Sequence, residues 1–173
     1  MLTHDSAPQA ADSVLDVVER HMDAEDRHDV DGAVNTFTDD CYYFVAPLRA
    51  RLDGKEAIRG WYRDLFTAFP DLSTSDDRFY RLEADGEPFV IHQATMEGTH
   101  LGTLQGWAAT GRRFAVPMLV RIPIAQDGLM KAEEVYFDTT DLFIQIGIAP
   151  PHGGLGQRAL QRLHRLHMAI SRR

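Results

Sequence analysis

The segment EEVYFDTTD, residues 133–141, sets polar side chains at every second position: Glu134, Tyr136 and Asp138. On an extended strand that spacing puts all three on one face, with Asp138 at the strand's end. A carboxylate so placed is a candidate general acid–base, able to take a proton from one atom and deliver it to another. The competing role is structural, because Asp138 followed by Asp141 is also the pattern of a residue that caps the next helix. His92 and His100 lie eight residues apart, so an uninterrupted strand shows both on one face with Ala94 and Met96. Either imidazole could polarise a carbonyl or exchange protons with Asp138 near neutrality. A bulge at Gly98 would reverse that face, and a hydrogen-bonded structural histidine is the competing role for each. Glu134 either tunes Asp138 by like-charge repulsion or pairs with Arg112, Arg113 or Arg121. Two histidines and two carboxylates are formally a metal-ligand set, but their spacing matches no metal motif and no metal is expected.

Aromatic side chains are the second resource. Tyr43, Trp61, Phe66, Phe69, Trp107 and Phe114 could line a pocket for a flat hydrophobic ligand, or could simply be core. Trp107, in the polar stretch GWAAT, suits a pocket rim or a subunit contact. The candidate catalytic groups are thus Asp138, His92 and His100, and the candidate substrate contacts are Trp61, Tyr43, Trp107, Glu134 and Tyr136.

Positioning these groups takes a helical half and a stranded half. Val14, Leu15, Val18 and Met22 recur at helical spacing, which predicts a first helix from about Asp12 to His28. DVDGAVNTF allows a short second helix, and the apolar run Tyr42 to Ala46 suits a short strand. In the third helix Asp53 and Glu56 read as a capping box, Ile58, Trp61, Tyr62, Leu65 and Phe66 form an apolar face, and Pro70 ends it. From Leu72 to Asp138 the pattern becomes short β-rich segments separated by turn signals at Asp85-Gly86, Thr110-Gly111 and Asp127-Gly128. Helices first and strands after predict an α+β domain, a curved antiparallel sheet wrapped around the N-terminal helices. A short helix carrying Leu142, Phe143 and Ile146 should follow Asp138 and stop at Gly147 and Pro150-Pro151. Beyond it, Leu155, Ala159, Leu163, Leu166 and Ile170 form the stripe of a C-terminal helical extension, docked on its own sheet or on a partner subunit. The expected division is a flexible leader over 1–11, the α+β domain over 12–150 and the extension over 151–173.

With 173 residues, 44% hydrophobic and 25% charged, the chain is long enough for one sizeable core. No apolar run approaches the ~20 residues of a spanning helix, and the start lacks a basic segment followed by an apolar one, so a cytoplasmic location is expected. A single cysteine, Cys41, in the apolar run CYYFVAP, excludes an internal disulfide and reads as a buried, inert thiol. The extension holds five arginines and no acid, so residues 1–150 carry −13 of a whole-chain charge of −8. An acidic body of that kind argues against nucleic acid as a partner.

GTHLGTLQGWAATGRRF (Gly98 to Phe114), WYRDLFTAFPD (Trp61 to Asp71) and EEVYFDTTDLFIQIG running on to QIGIAP (Glu133 to Pro150) resemble the SnoaL-like polyketide cyclases of the nuclear-transport-factor-2-like cone fold. The resemblance spans roughly residues 12 to 150. It implies an intramolecular aldol ring closure with an aspartate, here Asp138 of YFD, as general acid–base, and neither metal nor organic cofactor. His100 lies in the family-like GTHLG turn, whereas His92 stands where the family pattern favours arginine. Limonene-type epoxide hydrolases of the wider fold use an Asp-Arg-Asp set, with Arg and Asp two apart on a central strand. FVIHQATMEG offers neither, and YYFVAP lacks the early-strand aspartate of ketosteroid isomerases. The expected function is a cofactor-free cyclase or isomerase-like enzyme acting on a hydrophobic carbonyl compound, working as a homodimer. The alternative is a non-catalytic ligand-binding or dimerisation module. A chamber of ~300 Å³ or more that contains Asp138 favours the enzyme, and a packed interior favours the module.

Overall fold

Val14, Val17, Val18 and His21 fall at i, i+3, i+4 and i+7, and all four are buried on one face of helix α1 (Gln9–Asp26). The computed structural model describes residues 9–170, with side chains over 14–165 and at 167 and 168. The first eight residues of the expected leader, and the side chains of Leu166 and Ile170 in the tail stripe, lie outside the described residues. Asp29 accepts from the Gly32 backbone N–H (2.9 Å) and starts α2 (Val30–Val34). Strand β1 (Phe37–Val45) is longer than the run Tyr42 to Ala46 suggests, and β2 (Ala50–Asp53) pairs back against it. Helix α3 (Lys55–Ala68) begins at Gly54, φ 81°, and not at a capping box. Asp53 is spent on the end of β2, where it pairs with Arg51 at 2.9 Å.

Four more strands follow: β3 (Ser73–Ala84), β4 (Glu87–Thr99), β5 (Arg113–Pro123) and β6 (Met130–Phe137). Asp85 and Gly86, at φ 54° and 79°, make the two-residue turn between β3 and β4, as their sequence predicts. The six strands form one sheet in the order β2-β1-β6-β5-β4-β3. The sheet is curved and does not close. It is not wholly antiparallel, because β1 runs parallel to β6. Between those two strands the chain makes an α-helix and four strands, a connection long enough to bring β6 back in either direction. Asp138 caps α4 (Thr139–Gln145), and the tail helix α5 spans Leu155–Ile170.

Helices α1 and α3 lie against the inner face of the sheet. Val17, Val18, Ile58 and Tyr62 join Val90, Val120, Ile122 and Val135 in one core. A second cluster, with Phe69, Phe114, Val116, Leu142 and Ile146, fills the end closed by α4. Burying each large apolar side chain stabilises the fold by about 1.5–3 kcal/mol. The loop after β4 is clamped onto the end of α3, where Leu101 N–H and Gly102 N–H both donate to the Ala68 carbonyl (2.9 and 3.0 Å). Only glycine fits at 102, since a Cβ there would collide with the Thr67 carbonyl oxygen.

Candidate active site

The floor of the cone is polar. His21 from α1, Tyr62 from α3 and Glu133 from β6 are all buried, and Glu25, one helical turn after His21, completes the group. The Thr36 hydroxyl donates to the Ala33 carbonyl (2.6 Å), so its oxygen accepts the His21 Nδ1–H (2.8 Å). His21 Nε2 then faces Glu133 Oε2 at 3.2 Å and Glu25 Oε1 at 3.5 Å. Burial works against a charged ring, but the Glu25 charge and the hydrogen bond to Glu133 outweigh it and hold the His21 pKa up at about 10. His21 is therefore an imidazolium at neutral pH. The same cation holds the Glu25 carboxyl below its ordinary value, although burial pushes the other way. Glu133 shifts upward, because burial and the Glu25 charge outweigh His21 and the Tyr62 hydroxyl that donates to it at 3.0 Å. Glu133 is thus the carboxyl of the group that its surroundings push toward the protonated form. Burial first, and the Glu133 charge second, push the Tyr43 and Tyr62 phenols well above their ordinary value, so both stay neutral donors.

A chamber of about 60 Å³ opens above this floor, lined by Glu25, Glu133, Tyr43, Met96 and His92 among others. His92 is fully buried, and its Nε2 lies 2.6 Å from Asp77 Oδ1. A carboxylate only accepts, so Nε2 carries the hydrogen; Nδ1 has no partner and is the uncommitted nitrogen of the ring. Phe79 stacks on the imidazole at 4.5 Å and fixes its plane. Asp77 reaches it from a break in the β3 register between Ser75 and Arg78, where Asp76 adopts φ 57°.

A second chamber of similar size adjoins the first across Tyr43, Leu65, Met96 and Val135, which line both. It is apolar, with Trp61, Phe69, Leu142 and Phe143 in its wall and Trp107, 52% exposed, at its rim. The expected contacts Tyr43, Trp61 and Trp107 are brought together there. Thr139 Oγ1 is a buried polar atom without a partner there; the Trp61 Nε1–H is directed at the Tyr43 hydroxyl, outside good hydrogen-bond geometry but close enough to oppose the rise of that phenol's pKa.

The other expected residues lie elsewhere. Glu134, Tyr136 and Asp138 do share a side of the chain, but Val135 and Phe137 are the ones that line a chamber, so Glu134 and Tyr136 face outward. Glu134 accepts from Tyr42 (2.5 Å) and Arg121 (3.3 Å), and Tyr136 is 43% exposed. Asp138 is exposed and accepts from Thr140 N–H (2.8 Å) and Asp141 N–H (3.1 Å), the helix cap that competed with catalysis in the sequence reading. His100 is buried against Phe69 and Thr110, lines neither chamber, and has its pKa lowered by burial. His92 alone of the three expected catalytic groups lies at a chamber. Neither chamber reaches ~300 Å³, and Asp138 lines neither.

Sequence reasoning missed Glu133, His21, Glu25, Tyr62 and Asp77. The first helix did carry a signal, a histidine and a glutamate one turn apart on its apolar stripe. Among the described residues, His21, Glu25 and Glu133 also form a formal cation-ligand set, their donor atoms within 4.8 Å of one another. To ligate a cation, His21 would first have to release its Nε2 proton.

Residues 15–146 match the family model of the SnoaL-like polyketide cyclases. No curated protein matches the sequence significantly. Among solved structures, a candidate polyketide cyclase from Xanthomonas campestris superposes with TM-score 0.71 at 16% identity, over 80% of this chain and 99% of that one. A candidate SnoaL-like cyclase from Jannaschia sp. CCS1 gives 0.70 at 23% identity, over 86% and 100%. AclR, a candidate hydroxylase from Streptomyces galilaeus, gives 0.67 at 18%, over 95% and 97%. The six-stranded sheet wrapped on α1 and α3 is the fold they share, and with the match over residues 15–146 the chain belongs to the SnoaL-like polyketide cyclase family.

Proposed function

We propose that the chain is an acid–base enzyme that enolises a hydrophobic carbonyl compound and closes a ring by intramolecular aldol addition. His92 Nδ1 is the base that takes the α-proton, and Glu133 the acid that protonates the carbonyl oxygen. The observation that carries this reading is their meeting in one chamber wall: a histidine tied at Nε2 by Asp77, and a buried carboxyl shifted toward its protonated form. His21 and Tyr62 hold Glu133 in place, and the apolar chamber takes the hydrophobic part of the ligand. The ligand is a small molecule, the assembly a homodimer, and no cofactor takes part in the proton transfers.

The test is incorporation of deuterium α to the carbonyl of cyclohexanone in D₂O, followed by NMR. Exchange above the buffer rate that falls ~10²-fold in His92→Gln supports the reading. Equal exchange in the two proteins removes His92 from the chemistry. A non-catalytic binding module is the second reading, favoured by the small chambers, and it requires binding of the ketone with no exchange above buffer.

A further inference from the structure

We propose that His21, Glu25 and Glu133 are the protein ligands of a zinc site on the floor of the cone, its open position facing the polar inner chamber beside His92, away from the apolar outer one. One ring nitrogen and two carboxylate oxygens lie within 4.8 Å of one another. His21 Nε2 stands 3.2 Å from Glu133 Oε2 and 3.5 Å from Glu25 Oε1. Ligands held ~2.0–2.1 Å from a tetrahedral centre are roughly 3.3–3.4 Å apart, so both separations already match what zinc requires. Calcium and magnesium fit less well, since both want oxygen ligands and magnesium keeps several waters.

The groups behind the donors hold them in place. The His21 Nδ1–H is committed to Thr36 Oγ1 (2.8 Å), which turns Nε2 toward the two carboxylates, and Tyr62 donates to Glu133 Oε2 (3.0 Å). An independent observation comes from across the chamber. His92 is fully buried, lines the same chamber as Glu25 and Glu133, and its Nδ1 has no hydrogen-bond partner. A buried acceptor facing a polar chamber calls for a donor, and a water on the fourth position of zinc is one. The chamber, about 60 Å³, exceeds the ~10–15 Å³ that one water needs.

Charge balances as well. Zinc binds the neutral ring and two ionised carboxylates, so its 2+ charge meets two negative charges. The Nε2–H bond of His21 gives way to a Zn–N bond and its proton leaves to solvent; Glu133, where protonated, releases a second proton as its Zn–O bond forms. No electron is transferred. Zinc on Glu133 displaces the proton that the acid role needs, which makes metal and ketone competitors for one carboxyl.

The test is isothermal titration of the metal-free full chain with zinc chloride at pH 8, with no ketone present, in two buffers of different ionisation enthalpy. The proposal expects one tight equivalent that releases about one to two protons, weakened ~10²-fold or more in His21→Gln and ~10-fold or more in Glu25→Gln. Long-range ¹H–¹⁵N spectra of the zinc-loaded wild type should show His21 keeping the Nδ1 proton and losing the Nε2 proton. Equal zinc affinity in His21→Gln, or bound zinc with both ring protons kept, overturns the proposal and moves the metal to surface carboxylates or to the tail histidines His164 and His167. Absence of binding at micromolar zinc overturns it as well. If His21→Gln does not fold, the proton count and the wild-type spectrum decide. Because no ketone enters these measurements, they stand or fall separately from the acid–base reading.

Discussion

Glu133 and Glu134 are neighbours in sequence but face opposite sides of the sheet. Glu133 is 3% exposed beside an imidazolium, and Glu134 pairs with Tyr42 and Arg121 on the outer face. Glu133→Gln should therefore lower ketone exchange ~10²-fold, whereas Glu134→Gln should leave it within a few-fold of wild type. Asp138→Asn should be mild in both activity and stability because asparagine also caps a helix, while Asp138→Ala should cost ~1 kcal/mol in denaturant unfolding. Alternation along the strand correctly grouped Glu134, Tyr136 and Asp138, but only packing against helices says which group is inside. The alternation also breaks at Ala132 and Glu133, both buried, beside the irregular register of β1. His21 adds a pH signature. Its folded pKa, about 10, lies above the 6.5 of the unfolded ring, so the stability it contributes is fully present below 6.5 and lost as pH rises toward 10. The raised Glu133 acts in the same sense. Denaturation midpoints should fall between pH 6.5 and 9 in wild type, and His21→Gln should be less stable with a flatter profile; a flat wild-type profile would show His21 to be neutral.

At the scale of elements, the helices and their order were legible in apolar spacing, and the β3–β4 hairpin in Asp85-Gly86. The parallel pairing of β1 with β6 was not, since strand patterns carry no direction. Nor was Asp77, which reaches His92 only because the β3 register breaks at a non-glycine residue with positive φ. If that break positions the dyad, Asp77→Asn should preserve the fold and reduce exchange at least ~10-fold, because an amide can settle the imidazole in the wrong tautomer. The loop over the outer chamber depends on a single close approach. Gly102→Ala should destabilise the protein by ~1–3 kcal/mol, seen as a lower unfolding midpoint, because the Thr67 carbonyl must shift to admit the methyl group. A neutral result there would mean that the loop stands off α3 in solution.

The whole molecule leaves two surfaces uncovered. The outer sheet face shows Tyr80, Leu82, Leu119 and Tyr136, each 39–47% exposed, and α5 shows Leu155, Leu160 and Leu163 at 84, 62 and 63%. Large apolar patches are seldom left in water, so a homodimer through the sheet is the expected assembly. Light scattering at micromolar concentration should give twice the chain mass, and Leu119→Arg with Tyr136→Arg should return a monomer. Leu155→Glu with Leu163→Glu should weaken the dimer less, since the tail only extends the buried area. No described helix is long and apolar enough to cross a membrane. Composition and charge read as one acidic domain with a basic tail, but chamber volume depends on which side chains meet across the cone, and no local pattern in the sequence carries that.

The central claim is a protonation pattern, an imidazolium at His21 and a ring at His92 that is hydrogen-bonded through Nε2 and free at Nδ1. Long-range ¹H–¹⁵N correlation spectra of the histidine rings read it without any substrate. At pH 8 the account predicts both nitrogens protonated on His21, and on His92 a proton on Nε2 with Nδ1 bare. A neutral His21, or a His92 carrying its proton on Nδ1 alone, would contradict it.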